Sequence, residues 1–285
     1  MTINDLNKGF HYCMHGLGAY KGLRQTNTLE ALDYWYKKGV RVFELDIAIT
    51  DDCQYVAVAH TVDAPSMKRL DIVERPEKYT YDWFMSKKLF PVTTDGLTPI
   101  SLQMIPSIMR EYPDSIIMFD IFGFFTARQT FDFCTALKNI IDGHELNDRI
   151  LVEAYNFKML GSICEQKLEP IYCARHEHDL TVTDTVSLRV ASLKECGVRF
   201  ISYPWKYTEK FVGEIKAYTQ AGFTVFSRTK YNTLTQQLQE AGVTVNIIAY
   251  RFDGAKAPFQ KLAYYAACFK RLVAKKIVNH RAKNI

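Results

Sequence analysis

Apolar, β-branched and aromatic runs recur along the whole chain, and an amphipathic, helix-like span lies between most of them. The runs are FHYCMH (10–15), RVFELDIAI (41–49), YVAVAH (55–60), SIIMFDIF (115–122), RILVEAY (149–155), EPIYCAR (169–175), RFISYPW (199–205), FTVFSRT (223–229) and VTVNIIAY (243–250). Their length and composition mark them as strands. The spans 28–38, 101–112, 127–142, 156–166, 185–196, 210–221 and 233–241 carry helical patterning. Gly39, Gly197, Gly222 and Gly242 stand just before strands, where a left-handed residue closes the preceding helix. Repetition of strand, helix, glycine, strand builds a parallel sheet, either closed into a barrel or wound on both faces.

Counting favours the barrel, although nine strands are predicted and a closed barrel needs eight. The link from Ile49 to Tyr55 is too short for a crossover helix, so YVAVAH must turn back on the strand before it. A turn near Asp51, Asp52 and Cys53 would bring His60 close to Leu45, beside Glu44 and Asp46. The expected fold is therefore α/β: a TIM-like (β/α)8 barrel in one domain (1–285), with a hairpin extension after the second strand. Residues 61–102 form the longest stretch without a confident core element, and long loops of this kind sit over barrel active sites, so a substrate-facing insertion is expected there.

A chain of 285 residues, 48% hydrophobic and 24% charged, has the composition of an ordinary globular protein. It has no run of eighteen apolar residues, and MTINDLNKGF lacks a secretory pattern, so a cytoplasmic location is expected. Seven scattered cysteines without a close pair fit reduced, mostly buried thiols in that compartment. The net charge of +5 is concentrated at the end, where 256–285 hold eight Lys or Arg and no acid. With Tyr264, Tyr265, Phe269, Leu272, Val273 and Ile277, this tail has the make-up of a basic amphipathic helix, suited to packing on the body or to an anionic inner membrane surface. No nucleic-acid motif accompanies the charge, and no nucleic-acid partner is expected.

Chemistry collects at the carboxyl ends of barrel strands, and three of them end unusually. HYCMHG supplies His15, FELDI supplies Glu44 and Asp46, and IIMFDIF places Asp120 in an apolar run. Period-two alternation puts Glu44 and Asp46 on one face, where two carboxylates repel unless a cation or proton donors hold them. A single such aspartate can be a cap acceptor and a single histidine a satisfied structural residue; their combination points to a site. Three carboxylates converging on one rim suit a hard cation, Mg²⁺ or Ca²⁺, and leave His15 and His60 as general base and acid in either order. Such a site suits cleavage of a phosphodiester. HGLGAY (15–20) lacks the phosphate-cradling pattern of a dinucleotide site.

The order HG, NTLEA, FELDIAITDD, VAVAH, MFDIF resembles the glycerophosphodiester phosphodiesterase family and its relatives among barrel phosphodiesterases, the phospholipase-D toxins and phosphatidylinositol-specific phospholipases C. The resemblance is specific over 11–61, extends to Asp120, and is only one of strand rhythm from about 149 onward. It implies a TIM-like barrel, a metal held by Glu44, Asp46 and Asp120, and catalysis by His15 and His60. The chain departs from the family pattern at Gly16 in place of arginine, Thr26 in place of glutamate, Thr61 in place of aspartate, and Asp120-Ile121-Phe122 in place of Glu-x-Lys. Two phosphate partners are thereby lost. Arg175, Arg228 and Lys230, near later strand ends, and Lys21 and Arg24 in the first loop are the candidates to replace them. Trp205, flanked by Tyr203 and Tyr207, is a candidate to stack on a sugar or lipid headgroup, and His176 and His178 are candidates for a substrate role.

The function expected is metal-dependent hydrolysis of a glycerophosphodiester, a lysophospholipid or a glycerol-phosphate polymer. Two alternatives remain open at this point: a lyase forming a cyclic phosphate by internal attack, and a binding or regulatory protein on a degenerate barrel.

Overall fold

The computed structural model describes residues 1–59, 61–122, 126–174, 185–204, 208, 210–230 and 232–281. All nine predicted strands form: β1 (His11–Met14), β2 (Val42–Ile49), β3 (Tyr55–Ala57), β4 (Ile116–Asp120), β5 (Ile150–Ala154), β6 (Pro170–Cys173), β7 (Phe200–Tyr203), β8 (Thr224–Arg228) and β9 (Val245–Ile248). The parallel ladder β1-β2-β4-β5-β6-β7-β8-β9 closes when β1 pairs with both β2 and β9, giving an eight-stranded TIM-like barrel surrounded by helices. Strand β3 is the extra one. It folds back antiparallel on β2, with Ile47 opposite Ala57 and Ile49 opposite Tyr55. Cys53, at φ 59°, sits in the turn that reverses the chain, as its short link requires.

The helices occupy the predicted spans, among them Leu29–Lys37, Ala127–Ile141, Phe157–Glu165, Val186–Glu195, Val212–Gln220 and Gln236–Glu240. Gly39, Gly197, Gly222 and Gly242 all adopt positive φ, 85°, 71°, 91° and 84°, in the turns that deliver the chain to the next strand.

Period-two alternation splits each strand between two environments. On β2, Phe43, Leu45 and Ile47 face the layer between barrel and helices, while Val42 enters a separate core inside the barrel. That inner core is apolar: Cys13, Val42, Ile116, Met118, Leu151, Ile171, Phe200, Phe226 and Val245, with Ile3 and Leu6 closing it from below. Two residues further along the same faces the chemistry changes to Glu44 and Asp46, Asp120, Glu153, Ser202 and Arg228. An apolar plug thus fills the amino-terminal half of the barrel and a polar layer fills its carboxyl-terminal mouth, the arrangement in which barrel sites are built.

The insertion carries three short helices, Ala64–Arg69, Tyr81–Met85 and Pro91–Thr94, over a small core of its own that includes Val56, Val58, Met67, Phe84, Phe90 and Leu97. The tail forms one helix, Ala257–Arg281, and packs on the body through Tyr264 and Val278. Its expected basic face does not form. Lys261, Lys270, Lys275 and Lys276 are exposed but share no single face, Lys270 lying opposite Lys261, with Phe259, Leu262, Phe269 and Leu272 exposed among them. The charge pattern therefore does not support the membrane-contact alternative, and packing on the body is the reading realised. Among the described residues no helix is long and apolar enough to cross a membrane. All seven cysteines are free thiols; three, Cys13, Cys134 and Cys173, are buried, fewer than the sequence suggests.

Candidate active site

Parallel pairing of β2 with β4 sets Asp46 directly beside Asp120, and Glu44 lies one inward position deeper beside Met118. All three carboxylates are buried, with at most 1% of their surface exposed. A fourth joins them from β5. Glu153, fully buried, has an oxygen within 4.8 Å of oxygens of both Glu44 and Asp120, and His15, Glu44 and Asp46 form a second group of the same dimension. Glu44 is common to both groups.

These acids are held differently. Asp46 is gripped by Asn27, whose Nδ2 donates to Oδ2 at 2.7 Å and whose Oδ1 accepts the Asp46 backbone N–H at 3.0 Å. Asp120 Oδ1 accepts the Phe122 N–H at 2.9 Å and the Tyr155 hydroxyl at 2.6 Å. Glu153 Oε2, 2.5 Å from the same hydroxyl, shares its single proton with Asp120, and Oε1 accepts from Ser202. Neither oxygen of Glu44 receives a hydrogen bond from the described residues. Burial, with Asp120, Asp46 and Glu153 close by, pushes the Glu44 carboxyl well above the usual glutamate range against the opposing pull of Arg228. Burial likewise raises Glu153.

Arg228, at the end of β8, reaches into the middle of this group. Its Nη2 lies 2.8 Å from Glu153 Oε2, 3.1 Å from Glu44 Oε1 and 3.3 Å from Asp120 Oδ2. His15 stands at the rim with Nε2 3.6 Å from Glu44 Oε1. Gln25 contacts the same imidazole, its Nε2 2.7 Å from the ring Nε2 and 3.0 Å from Nδ1. The other end of that amide accepts Arg69 Nη2 at 2.9 Å, which fixes Oε1 toward the arginine and the donor toward His15. Gln25 thus orients the His15 ring at the rim, next to Glu44. These groups open onto a cavity of about 570 Å³, lined by His15, Arg24, Gln25, Asp120, Arg228 and Lys230.

Gly16 explains a departure from the family pattern. It adopts φ 53°, and a Cβ there would lie 2.7 Å from Gln25 Cβ and 2.9 Å from Asp46 Oδ2. No arginine fits at that position in this loop. Arg228, Arg24 and Lys230 bring positive charge to the cavity instead.

Of the predicted site residues, the structure brings together His15, Glu44, Asp46, Asp120 and Arg228, with Lys230 on the cavity wall. His60, Arg175, His176, His178, Trp205 and Tyr207 lie outside the described residues. Tyr203 is fully buried in the core between barrel and helices, so it is no headgroup platform, and Lys21 lies over the Tyr20 ring. Glu153 and its donors Tyr155 and Ser202 were missed, although ILVEA carries the same signal as FELDI, an acid on an otherwise apolar strand. Gln25 had no sequence signal.

Fold and site together define a TIM-like barrel with an acidic, imidazole-edged mouth. The structure matches several glycerophosphodiester phosphodiesterases at high structural similarity. One from Parabacteroides distasonis superposes with a TM-score of 0.62 at 17% identity, covering 91% of this chain and 98% of the other. One from Thermotoga maritima gives 0.59 at 16% identity, covering 89% and 98%. An Oleispira antarctica phosphodiesterase in complex with its product sn-glycerol-3-phosphate gives 0.56 at 13% identity, covering 91% and 98%. The likeness at these identities is one of fold. Compared as a sequence with family models and with curated proteins, the chain gives no match.

Proposed function

We propose that this chain is a metal-dependent phosphodiester hydrolase of the glycerophosphodiester phosphodiesterase type, acting on a glycerophosphodiester, a lysophospholipid or a glycerol-phosphate polymer. The observation that carries this reading is Glu44: a fully buried carboxylate that receives no hydrogen bond from the described residues, with Asp46, Asp120 and His15 around it. Its charge is met only in part, by an Arg228 guanidinium that Asp120 and Glu153 share, and a cation is the further partner that a cluster of carboxylate oxygens selects. Glu44, Asp46 and Asp120 would hold it, and Mg²⁺ or Ca²⁺ suits the donor set. When bound, a hard cation neutralises a phosphoryl oxygen and lowers the pKa of a nearby hydroxyl.

The chain's own residues supply the rest. His15, oriented by Gln25, takes a proton from the attacking hydroxyl at the rim, and His60 is assigned to protonate the leaving alcohol. Arg228 and Lys230 place positive charge against the phosphate, and Arg175 and Trp205 are assigned to the substrate's remaining contacts. The insertion 61–102 faces the substrate; the contact of Arg69 with Gln25 supports this. The free cysteines support a reducing, cytoplasmic setting.

The test is release of the alcohol from a panel of small diesters: a glycerophosphodiester, its analogue lacking the neighbouring hydroxyl, and a lysophospholipid, each with and without chelator. Chelator-sensitive turnover supports the proposal. Turnover confined to substrates with the neighbouring hydroxyl assigns internal attack and a cyclic product. No turnover of any diester with metal bound overturns it.

A further inference from the structure

The acids at the mouth are held unequally. Glu153 is tied to the barrel wall at both oxygens, by Tyr155 and by Ser202. Asp120 is held at Oδ1, by Phe122 and Tyr155, and Glu44 by no hydrogen bond from the described residues. A single guanidinium nitrogen is shared among these three acids, closest to Glu153, at 2.8 Å against 3.1 Å for Glu44 and 3.3 Å for Asp120.

This sharing is incompatible with a divalent cation on the same oxygens. A hard cation sits about 2.0–2.6 Å from its carboxylate ligands. A guanidinium nitrogen left in contact with Glu44 and Asp120 would face it at close range, where like charges repel strongly in a buried site. Arg228 also has a buried Nε with no hydrogen-bond partner among the described residues. An unmet donor of this kind costs about 1–3 kcal/mol, which lowers the cost of moving the side chain.

We propose that a divalent cation displaces Arg228 from Glu44 and Asp120, while Glu153 retains it at the cavity wall as the cation that meets the substrate phosphate. Glu153 is then a positioning residue: it acts on the phosphate through Arg228 and contributes no oxygen to the metal. The arginine takes over the task of the lysine that Phe122 replaces. The inference rests on the reading of the rim as a divalent-cation site.

The test is a double-mutant cycle read by titration calorimetry with Mg²⁺ and Ca²⁺, without substrate, on the parent, Arg228→Gln, Glu153→Gln and the double variant, with Glu44→Ala as reference and circular dichroism confirming each fold. Removing the internal competitor is expected to tighten metal binding by about tenfold or more in Arg228→Gln. Glu153→Gln is expected to weaken it in the parent background, because Arg228 then leans on Glu44 and Asp120, and to change it little once Arg228 is gone. Inorganic phosphate should bind the metal-loaded parent and be lost in Arg228→Gln. An equal penalty for Glu153→Gln in both backgrounds would make Glu153 a metal ligand, and unchanged or weaker metal affinity in Arg228→Gln would remove the competition; either overturns the inference. If Arg228→Gln does not fold, Arg228→Lys, which keeps the charge without the fork, should show an intermediate gain in metal affinity, and no gain counts against the inference. Loss of metal binding in Glu44→Ala alongside either contrary result leaves the phosphodiesterase reading standing, whereas no metal binding by the parent removes both.

Discussion

Asn27 holds Asp46 from two directions, donating from Nδ2 to the carboxylate at 2.7 Å and accepting the Asp46 backbone N–H at 3.0 Å. The residue belongs to the NTLEA segment, and its left-handed backbone, φ 51°, turns the side chain back onto β2. Asn27→Ala leaves a buried backbone donor unmet, so stability should fall by about 1–3 kcal/mol in urea unfolding. Divalent-metal affinity should weaken with it, because Asp46 loses its fixed orientation. Asn27→Asp should be worse at neutral pH, where it sets a like charge against Asp46.

Restoring the family's arginine at Gly16 should not restore a phosphate contact. The left-handed backbone costs a side chain about 1–2 kcal/mol before the close approaches of Gln25 and Asp46 are added. Gly16→Ala and Gly16→Arg should both lower the melting temperature, and neither should tighten phosphate binding.

Gln25 is the residue in contact with both ring nitrogens of His15, and a charge placed there should show in the pH profile. Gln25→Glu exchanges the amide donor for a carboxylate, which favours the imidazolium and raises the His15 pKa. The acidic limb of kcat/KM should move to higher pH. His15→Ala should cut turnover by roughly 10²-fold or more and leave metal bound. An acidic limb unmoved by Gln25→Glu would separate His15 from the proton transfer.

Burial raises the Glu44 carboxyl above its ordinary 4.5. The metal-free native state then binds more protons than the unfolded chain between that value and the raised one. Its stability should fall as pH rises through this window and stay lowered above it. Glu44→Gln has no such proton to lose, so its stability relative to the parent should climb with pH across the same range. Added divalent cation should oppose the parent's loss, since it binds the ionised ligands and releases protons. Chemical denaturation at a series of pH values, with and without Ca²⁺, checks both trends.

The barrel was legible because its signals are local. Each strand and helix carries its own periodicity, and the short link from Ile49 to Tyr55 excludes a parallel crossover. Glu44, Asp46 and Asp120 stood out because an acid on an apolar strand is conspicuous in one dimension. Glu153 showed the same mark but no motif drew attention to it. The place of Arg228 among those acids was not legible, since it depends on a side chain from β8 crossing the mouth to β2, β4 and β5. The tail misled for a related reason: its helix is apolar on two sides, and the sequence does not say which side the body takes.

The central claim is that Glu44, Asp46 and Asp120 hold one hard cation, and titration calorimetry with Mg²⁺ or Ca²⁺ tests it most directly. The parent should bind a single divalent ion, and alanine at Glu44, Asp46 or Asp120 should weaken that binding in a chain that still folds. Affinity unchanged in all three variants, or no divalent binding by the parent, would contradict it.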